Sequence, residues 1–190
     1  MLKILIVYES MFGSTRSVAE AVERGARSVV GNRVAVALRR VGDVQPEEVS
    51  DVDVLVVGAP THAHSLSRPE SRAEAAKWAR DPARQLTLEP DAREEGIREF
   101  LATLHPTDAA FVAFDTRVDA PELFTGSAAR AIRKRLLKKG LEPLLPSESF
   151  LVTTEGRLVD GEDTRAEHLG RALVEEARQT FPATGAMAGA

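Results

Sequence analysis

Three side-chain hydroxyls lie close together near the start of the chain, in the turn that follows its first apolar run. Residues 2–8 are mostly apolar and predict a strand, whereas the pattern from Ser14 onward has helical spacing. Ser10, Ser14 and Thr15 supply the hydroxyls, and Gly13 lets the backbone approach a ligand closely. The first turn of a helix also leaves unpaired N–H groups that favour an anion. The turn has no lysine and matches neither GxxxxGKS/T nor GxGxxG, so it predicts a monophosphate site built from neutral hydrogen bonds.

The composition is typical of one globular domain. The chain has 190 residues, 43% of them hydrophobic and 28% charged, with a net charge of −4. It is long enough to bury a substantial core, and its charge does not favour nucleic-acid binding. The absence of cysteine excludes disulfides, thiolate catalysis and cysteine-ligated metals. No apolar run approaches the roughly 20 residues of a membrane helix, and no basic segment precedes the first run, so we expect a cytoplasmic protein outside the membrane.

Strand-like and helix-like segments alternate along the chain, a pattern typical of βαβ units. Strands are predicted at residues 3–8, 33–38, 52–58, 109–114 and either 142–145 or, preferably, 149–153. Helical segments are predicted at residues 14–30, 46–49, 70–80, 93–104, 127–139 and 164–180. These elements predict an α/β fold with three layers, in which a doubly wound, five-stranded parallel sheet has the order 2-1-3-4-5. We expect one domain over residues 1–181, with an elaborated crossover at about 68–92, and a flexible tail at 182–190.

Ligands of such a sheet bind at the carboxyl ends of the strands, beside the switch between strands one and three. The loops after strands one, three and four are therefore expected to carry the ligand-binding residues. The loop after strand three is bent by Gly58 and Pro60 and is otherwise small or polar. Such a loop suits backbone groups that contact the edge of a flat ring. Residues 115–118 follow strand four and contribute polar side chains.

The stretch Ile6–Glu20, IVYESMFGSTRSVAE, resembles the signature of flavodoxins, in which a hydroxyl-rich loop after the first strand holds the phosphate of FMN. The match combines an aromatic residue that ends the strand, a hydroxyl two residues later, Thr15 at the helix start and alanine within the helix. The resemblance extends over residues 1–181 and implies a flavodoxin-like fold with FMN as cofactor. The alternative is an ordinary turn whose serine and threonine only cap the helix.

The resemblance also implies which residues bind the cofactor. Those expected at the phosphate are Ser10, Met11, Phe12, Gly13, Ser14 and Thr15. Those expected around the isoalloxazine ring are Pro60, Thr61, His62, Ala63, His64, Ser65, Asp115, Thr116 and Arg117. Family members usually stack an aromatic side chain on the ring, but neither ring loop contains Trp or Tyr. His64 is the best-placed substitute and His62 the second, so we expect weaker FMN binding.

Two redox functions agree with this resemblance, and the catalytic residues are not assigned. The first is electron transfer through bound FMN, with a partner protein or a small-molecule acceptor. The second is an NAD(P)H-dependent oxidoreductase that reduces quinone-like acceptors. A non-redox binding protein on the same fold is a further alternative. The oligomeric state stays open.

Other chemistries fit the residues less well. Ser10, His62 or His64, and Asp115 form a candidate hydrolase set, but Ser10 does not lie in a Gly-x-Ser-x-Gly elbow. The same histidines with Asp115 lack the spacing of a metal site. A phospho-acceptor regulator is disfavoured because strand three ends in Gly58-Ala59-Pro60 rather than in aspartate.

The connection between strands three and four is unusually long, and residues 68–91 are charged and interrupted by prolines. This segment is compatible with a lid or a dimer contact. We favour a solvated surface insertion, because charged excursions usually lie on the surface.

Overall fold

A parallel sheet forms the centre of the computed structural model, which describes residues 1–29, 34–62 and 64–182. Its five strands have the order β2-β1-β3-β4-β5. The strands are β1 (Leu2–Tyr8), β2 (Val34–Arg40), β3 (Val54–Pro60), β4 (Ala110–Val118) and β5 (Glu148–Val152). All four strand pairs are parallel. The predicted fold class and strand order are therefore confirmed.

Helices occupy most of the connections between the strands. They are α1 (Ser14–Ser28), α2 (Pro46–Ser50), α3 (Pro69–Trp78), α4 (Ile97–Thr103), α5 (Glu122–Thr125), α6 (Ala128–Lys138) and α7 (Glu162–Thr180). Short 3-10 turns lie at Val41–Asp43 and Pro82–Arg84. None of the helices in the described ranges is long and apolar enough to cross a membrane.

Alternation along the strands divides the core into two layers. In β1, Ile4 and Ile6 contribute to one cluster and Leu5 and Val7 to the other, because successive side chains of a strand point to opposite faces. Helices α1 and α7 cover the face of Ile4 and Ile6. Helices α4 and α6 cover the opposite face. Burial on both faces explains why β1 and β3 are almost continuously apolar.

Several boundaries differ from the predictions. Strand β4 continues to Val118 rather than ending at residue 114, because Asp115 and Thr116 pair with the last residues of β3. The sequence did not predict this extension because polar side chains interrupt the apolar pattern there. Strand β5 matches the preferred alternative, whereas Pro143 forms only an isolated bridge with Phe111. Helix α5 was not predicted, and α4 is shorter than residues 93–104. Residues 30–33, where α1 was predicted to end and β2 to begin, and residues 183–190 of the predicted tail lie outside the described residues.

The strand register brings four loops to one edge of the sheet. Tyr8 lies opposite Gly58, which in turn lies opposite Phe114. Val118 of β4 lies opposite Val152 of β5. Because the strands are parallel and their ends are aligned, the loops after β1, β3, β4 and β5 emerge side by side.

Helices α1 and α7 approach each other closely because glycines face each other at their crossing. A Cβ added at Gly25 would lie 2.0 Å from the carbonyl oxygen of Glu167. One added at Gly170 would lie 2.0 Å from the carbonyl oxygen of Val22. Both contacts involve backbone atoms of the opposite helix, which cannot rotate away. The pair of glycines therefore fixes the distance between α1 and α7.

We expect Gly25→Ala to lower the free energy of unfolding by about 1–3 kcal/mol. The higher helix propensity of alanine, worth up to about 1 kcal/mol, cannot offset a clash with a backbone carbonyl. Urea unfolding measures the difference. Gly42→Ala is the matched control, because its added Cβ would meet only the end of the Glu94 side chain, at 3.8 Å. Equal stability of the Gly25→Ala and Gly42→Ala proteins would contradict the close crossing.

Candidate functional site

A cavity of about 410 Å³ lies at the edge where the strand ends meet. Its volume is within the range of roughly 300–1,000 Å³ that is usual for small-molecule sites. The lining residues are Met11, Phe12, Ser14, Thr15, Pro60, Thr61, His62, Trp78, Arg84, Leu86, Thr116, Arg117, Val118, Val152, Thr153, Thr154 and Gly156. A larger groove of about 950 Å³ runs along α6, but no predicted site residue lines it. The smaller cavity is therefore the candidate site.

The N-terminus of α1 opens at this cavity without a side-chain cap. Gly13 precedes the helix with φ 95, in the left-handed region, and no side chain bonds the first-turn N–H groups. The first turn contains no acidic residue. Unpaired N–H groups and the positive end of the helix dipole together favour an anion here. The first turn of α1 is therefore uncapped at the position where the sequence predicts an anion site.

The three predicted hydroxyls have different surroundings. Ser14 and Thr15 line the cavity, whereas Ser10 is only 1% exposed and accepts a hydrogen bond from the Gly13 amide at 3.2 Å. The Ser14 hydroxyl donates to the carbonyl oxygen of Gly156. Thr15 Oγ1 lies 2.7 Å from Thr116 Oγ1. Ser10 therefore braces the turn, while Ser14 joins it to the loop after β5 and Thr15 joins it to the end of β4.

The long crossover packs against this turn. Met11 is buried in a small cluster with Ala75 and Ala92, and its carbonyl oxygen accepts a hydrogen bond from the Glu89 amide at 2.9 Å. Glu89 also pairs with Arg16 at 3.2 Å. Residues 68–92 therefore contain surfaces buried against the first loop, which the solvated interpretation did not anticipate.

The crossover also supplies part of the cavity wall. Trp78 at the end of α3 lines the cavity with Arg84 and Leu86. The Arg84 guanidinium lies 5.1 Å from the centre of the Trp78 ring, within the range of a cation–π contact. The sequence analysis did not assign Trp78 to the site. Trp78 is the only tryptophan of the chain, and its segment follows the loop after β3. These two features of the sequence could have indicated a role at the site.

In the loop after β3, the structure brings His62 to the cavity and leaves His64 outside it. His62 and Ser65 exchange backbone hydrogen bonds of 2.8 and 3.0 Å, which close a tight turn. His64 has φ 70 in this turn and is exposed. Pro60 and Thr61 line the cavity, Ser65 does not, and Ala63 lies outside the described residues. His62 is thus the histidine available to a ligand.

Some residues at the end of β4 line the cavity, and one is buried in the core. Thr116 and Arg117 line the cavity, as does Val118. Asp115 is fully buried and lies outside the cavity wall. Its Oδ2 accepts hydrogen bonds from Ser127 Oγ at 2.6 Å, the Ala129 amide at 2.9 Å and Thr61 Oγ1 at 3.1 Å.

Asp115 therefore binds the N-terminus of α6, where an anion is favoured. The hydrogen bonds of the described residues include none that joins Ser10, a histidine and Asp115 into a catalytic set. The described residues also contain no cluster of three His, Cys, Asp or Glu side chains able to hold a metal.

The loop after β5 completes the wall, and the sequence analysis did not include it. Val152, Thr153, Thr154 and Gly156 line the cavity. Gly156 has φ 75 and receives the Ser14 hydroxyl bond. The predicted alignment of strand ends could have indicated this loop, because β5 ends at the same edge as β4.

Comparisons with known proteins agree with this architecture. No family model matches the sequence. A flavodoxin from the domain Archaea superposes with a TM-score of 0.64 and 20% identity, over 93% of this chain and 99% of that one. The chain therefore has a flavodoxin-like fold. A WrbA-like flavodoxin from Agrobacterium tumefaciens superposes with a TM-score of 0.59 and 16% identity, over 95% of this chain and 100% of that one.

Similarity to curated proteins is also found at the level of sequence. A flavodoxin of Aquifex aeolicus (strain VF5) is 40% identical over 65 residues, which is 34% of this chain and 34% of that protein. The match therefore spans about a third of the curated relative. The structural neighbours establish the fold over nearly the whole chain, and the function is argued from the site itself.

His62 is expected to stay neutral through the physiological range. Burial, and secondarily the positive charge of Arg72, lower the pKa of His62 from 6.5 to about 4. Because the pKa is lower in the folded protein, the stability present above pH 6.5 is lost as the pH falls toward 4. The loss attributable to His62 should reach about 3 kcal/mol by pH 4.

The His62→Gln variant isolates this contribution. The free energy of unfolding of each protein is measured in urea at pH 7 and at pH 4. The decrease between the two pH values should be about 3 kcal/mol smaller for His62→Gln than for the wild type. The NMR signal of the His62 ring is assigned by its absence from the spectrum of His62→Gln. In the wild type, this signal should show no shift due to protonation between pH 8 and pH 5.5. An identical pH dependence of stability in the two proteins would contradict the desolvation that lowers the pKa of His62.

Proposed function

We propose that the cavity binds FMN and that the protein is a redox protein that transfers electrons through the bound flavin. The observation that carries this proposal is the uncapped N-terminus of α1, which opens onto a cavity of suitable volume. FMN has a phosphate at one end and a flat aromatic ring system at the other. The cavity offers matching chemistry at its two ends.

The phosphate end is formed by Gly13, Ser14 and Thr15. Their backbone N–H groups lie at the positive end of α1, and hydroxyls of Ser14 and Thr15 line the adjacent wall. Arg16, the nearest cation in sequence, is already paired with Glu89 and does not line the cavity. We infer that backbone dipoles and hydroxyls hold the phosphate.

The ring end combines flat or apolar walls with polar groups. Phe12, Trp78 and His62 supply aromatic surface, and Pro60 and Val118 supply apolar surface. Arg117 also lines the cavity and contributes a positive charge to its wall.

The aromatic surface of the cavity differs from the sequence-based expectation that His64 stacks on the ring. His64 is exposed, so we assign the aromatic contacts of the ring to Trp78 and His62 instead. Bound FMN would supply the chemistry of accepting and donating electrons. The protein would position the ring, exclude water and set its potential.

The proposed redox partners are given as chemical classes and not as individual molecules. We propose that residues 1–181 act as one FMN domain and that electrons pass to a partner protein or a small-molecule acceptor. A cytoplasmic location is also proposed, supported by the cysteine-free sequence.

Ser14→Asp should abolish the preference for FMN over riboflavin. A carboxylate in the first turn of α1 would lie where the phosphate is held, and two like charges about 4 Å apart repel by roughly 1–4 kcal/mol. FMN affinity should therefore fall at least about tenfold. Riboflavin affinity should change little, because riboflavin has no phosphate. Flavin fluorescence during titration of the apo-protein measures both affinities.

Ser17→Asp is the matched control, because Ser17 is exposed on the same helix and does not line the cavity. It should keep the FMN affinity within about threefold of the wild-type value. An acidic residue near a helix N-terminus is favourable, so both variants should fold. The proposal fails if the wild type binds no FMN, or if Ser14→Asp affects FMN and riboflavin equally.

A further inference from the structure

The groove along α6 is separate from the cavity proposed to bind FMN. Its volume is about 950 Å³, and no residue is common to the two linings. One wall is a face of α6, and the connection from α6 to β5, residues 143–147, provides the other lining residues. The α6 wall contributes four cations, which are Arg130, Arg133, Lys134 and Lys138. A function of this groove would therefore be independent of flavin binding.

The groove combines these cations with apolar surface. The lining positions of α6 recur at intervals of three and four residues, which is the spacing of one helical face. Leu137 lies in the same row and is 38% exposed. Residues 143–146 have the sequence PLLP and add apolar side chains from the connection to β5. A ligand in the groove would thus meet positive charge and apolar surface together.

The positive charge of α6 is largely uncompensated within the described chain. Helix α6 contains five basic residues and no acidic one. Arg130 pairs with Glu122 at 2.8 Å, but no described carboxylate lies within 4.0 Å of Arg133, Lys134 or Lys138. Helices α1 and α7, by contrast, pair most of their arginines with carboxylates of the same two helices. In a chain with a net charge of −4, α6 is therefore a local excess of positive charge.

The helix dipole does not account for this cluster. The dipole favours cations near the C-terminus of a helix, and its influence is limited to the last turn. Arg130 and Arg133 lie in the first half of α6, where the dipole gives no such advantage. Repulsion among neighbouring cations on one helical face also costs stability. An anionic partner would remove that cost.

We propose that the groove along α6 binds an acidic segment of a partner protein, in which carboxylate side chains alternate with apolar ones. Carboxylates would form charge-assisted hydrogen bonds with the cations of α6. Alternate side chains of an extended segment point in opposite directions, so its apolar side chains would contact Leu137 and residues 143–146. The face from Arg130 to Lys138 extends about 12 Å, which is the length of about four extended residues.

Two other anionic partners fit the groove less well. Single-stranded nucleic acid is usually held by aromatic side chains that stack on the bases, and none is among the described lining residues. A membrane surface is bound by a helix with a broad apolar face. In α6, Leu137 is the only exposed large apolar residue, and the lining is concave. The charge and the apolar surface together favour an acidic protein segment.

Fluorescence anisotropy of labelled peptides tests the proposal on the full chain. The probe is a fluorescein-labelled peptide of about eight residues, twice the length of the α6 face, in which aspartate and leucine alternate. The wild type should bind it with a Kd below about 1 mM, and added salt should weaken the binding. A peptide with serine in place of leucine should bind at least about threefold more weakly, because it lacks the apolar contacts. A peptide with lysine in place of aspartate should not bind.

Charge reversal in the groove should weaken binding of the aspartate–leucine peptide at least about tenfold. The variant is Arg133→Glu/Lys134→Glu, in which two attractive contacts become repulsive. Arg80→Glu/Arg93→Glu is the matched control, because it changes the net charge equally at two exposed arginines outside the groove. The control should stay within about threefold of the wild-type affinity. All four side chains are exposed, and circular dichroism checks that both variants fold.

Several outcomes would overturn the proposal. They are absence of peptide binding by the wild type, equal binding of the leucine and serine peptides, and equal losses in the two double variants. The peptide comparison uses only the wild type, so it decides the matter even if a variant does not fold. Tighter binding of a single-stranded oligonucleotide or of phosphatidylserine vesicles, lost in Arg133→Glu/Lys134→Glu, would assign the groove to those partners. Self-association of the wild type that this variant abolishes would assign it to a second copy of the chain.

Discussion

A buried carboxylate, Glu9, joins the first strand to the long connection between β3 and β4, and the shape of the cavity depends on that link. Glu9 directly follows β1 and is 3% exposed. Its Oε2 accepts a hydrogen bond from the Ile97 amide, at 2.8 Å, where α4 begins. Burial raises the pKa of Glu9, while hydrogen bonds from Ser67 and Ile97 and the charge of Arg72 act in the opposite direction. The carboxylate therefore holds these elements beside the loop after β1.

Arg72 extends this network to the wall of the cavity. It is 4% exposed on α3, and its NH1 group contacts Ser67 Oγ at 3.0 Å and Glu99 Oε2 at 3.2 Å. Removal of one member from such a buried network typically costs about 3–5 kcal/mol, because the remaining charge loses its partner. The network fixes α3, which ends at Trp78, against the end of β1. The loop after β1 and the aromatic wall of the cavity are thus positioned by one set of contacts.

The sequence predicted the sheet and the turn after β1 because both have local signals. Apolar runs identify β1 and β3, and the residues around Gly13 identify the turn. The wall could not be predicted in the same way, since α3 brings Trp78 to the cavity through contacts with residues distant in sequence, including those of Arg72 and Ala75. His64 was assigned to the ring because a residue pattern does not show the turn geometry that exposes it. Asp115 lies at the expected edge, but the N-terminus of α6 reaches the same edge and binds its carboxylate.

The most direct test of the account is an NMR titration of the ¹⁵N-labelled apo-protein with FMN, because it reports where the phosphate and the ring bind. The account predicts the largest shifts at the amides of Gly13, Ser14 and Thr15, together with a shift of the Trp78 indole signal. Riboflavin should move the indole signal but not the three amides. Shifts confined to the groove along α6, or amide shifts that are the same for FMN and riboflavin, would contradict it.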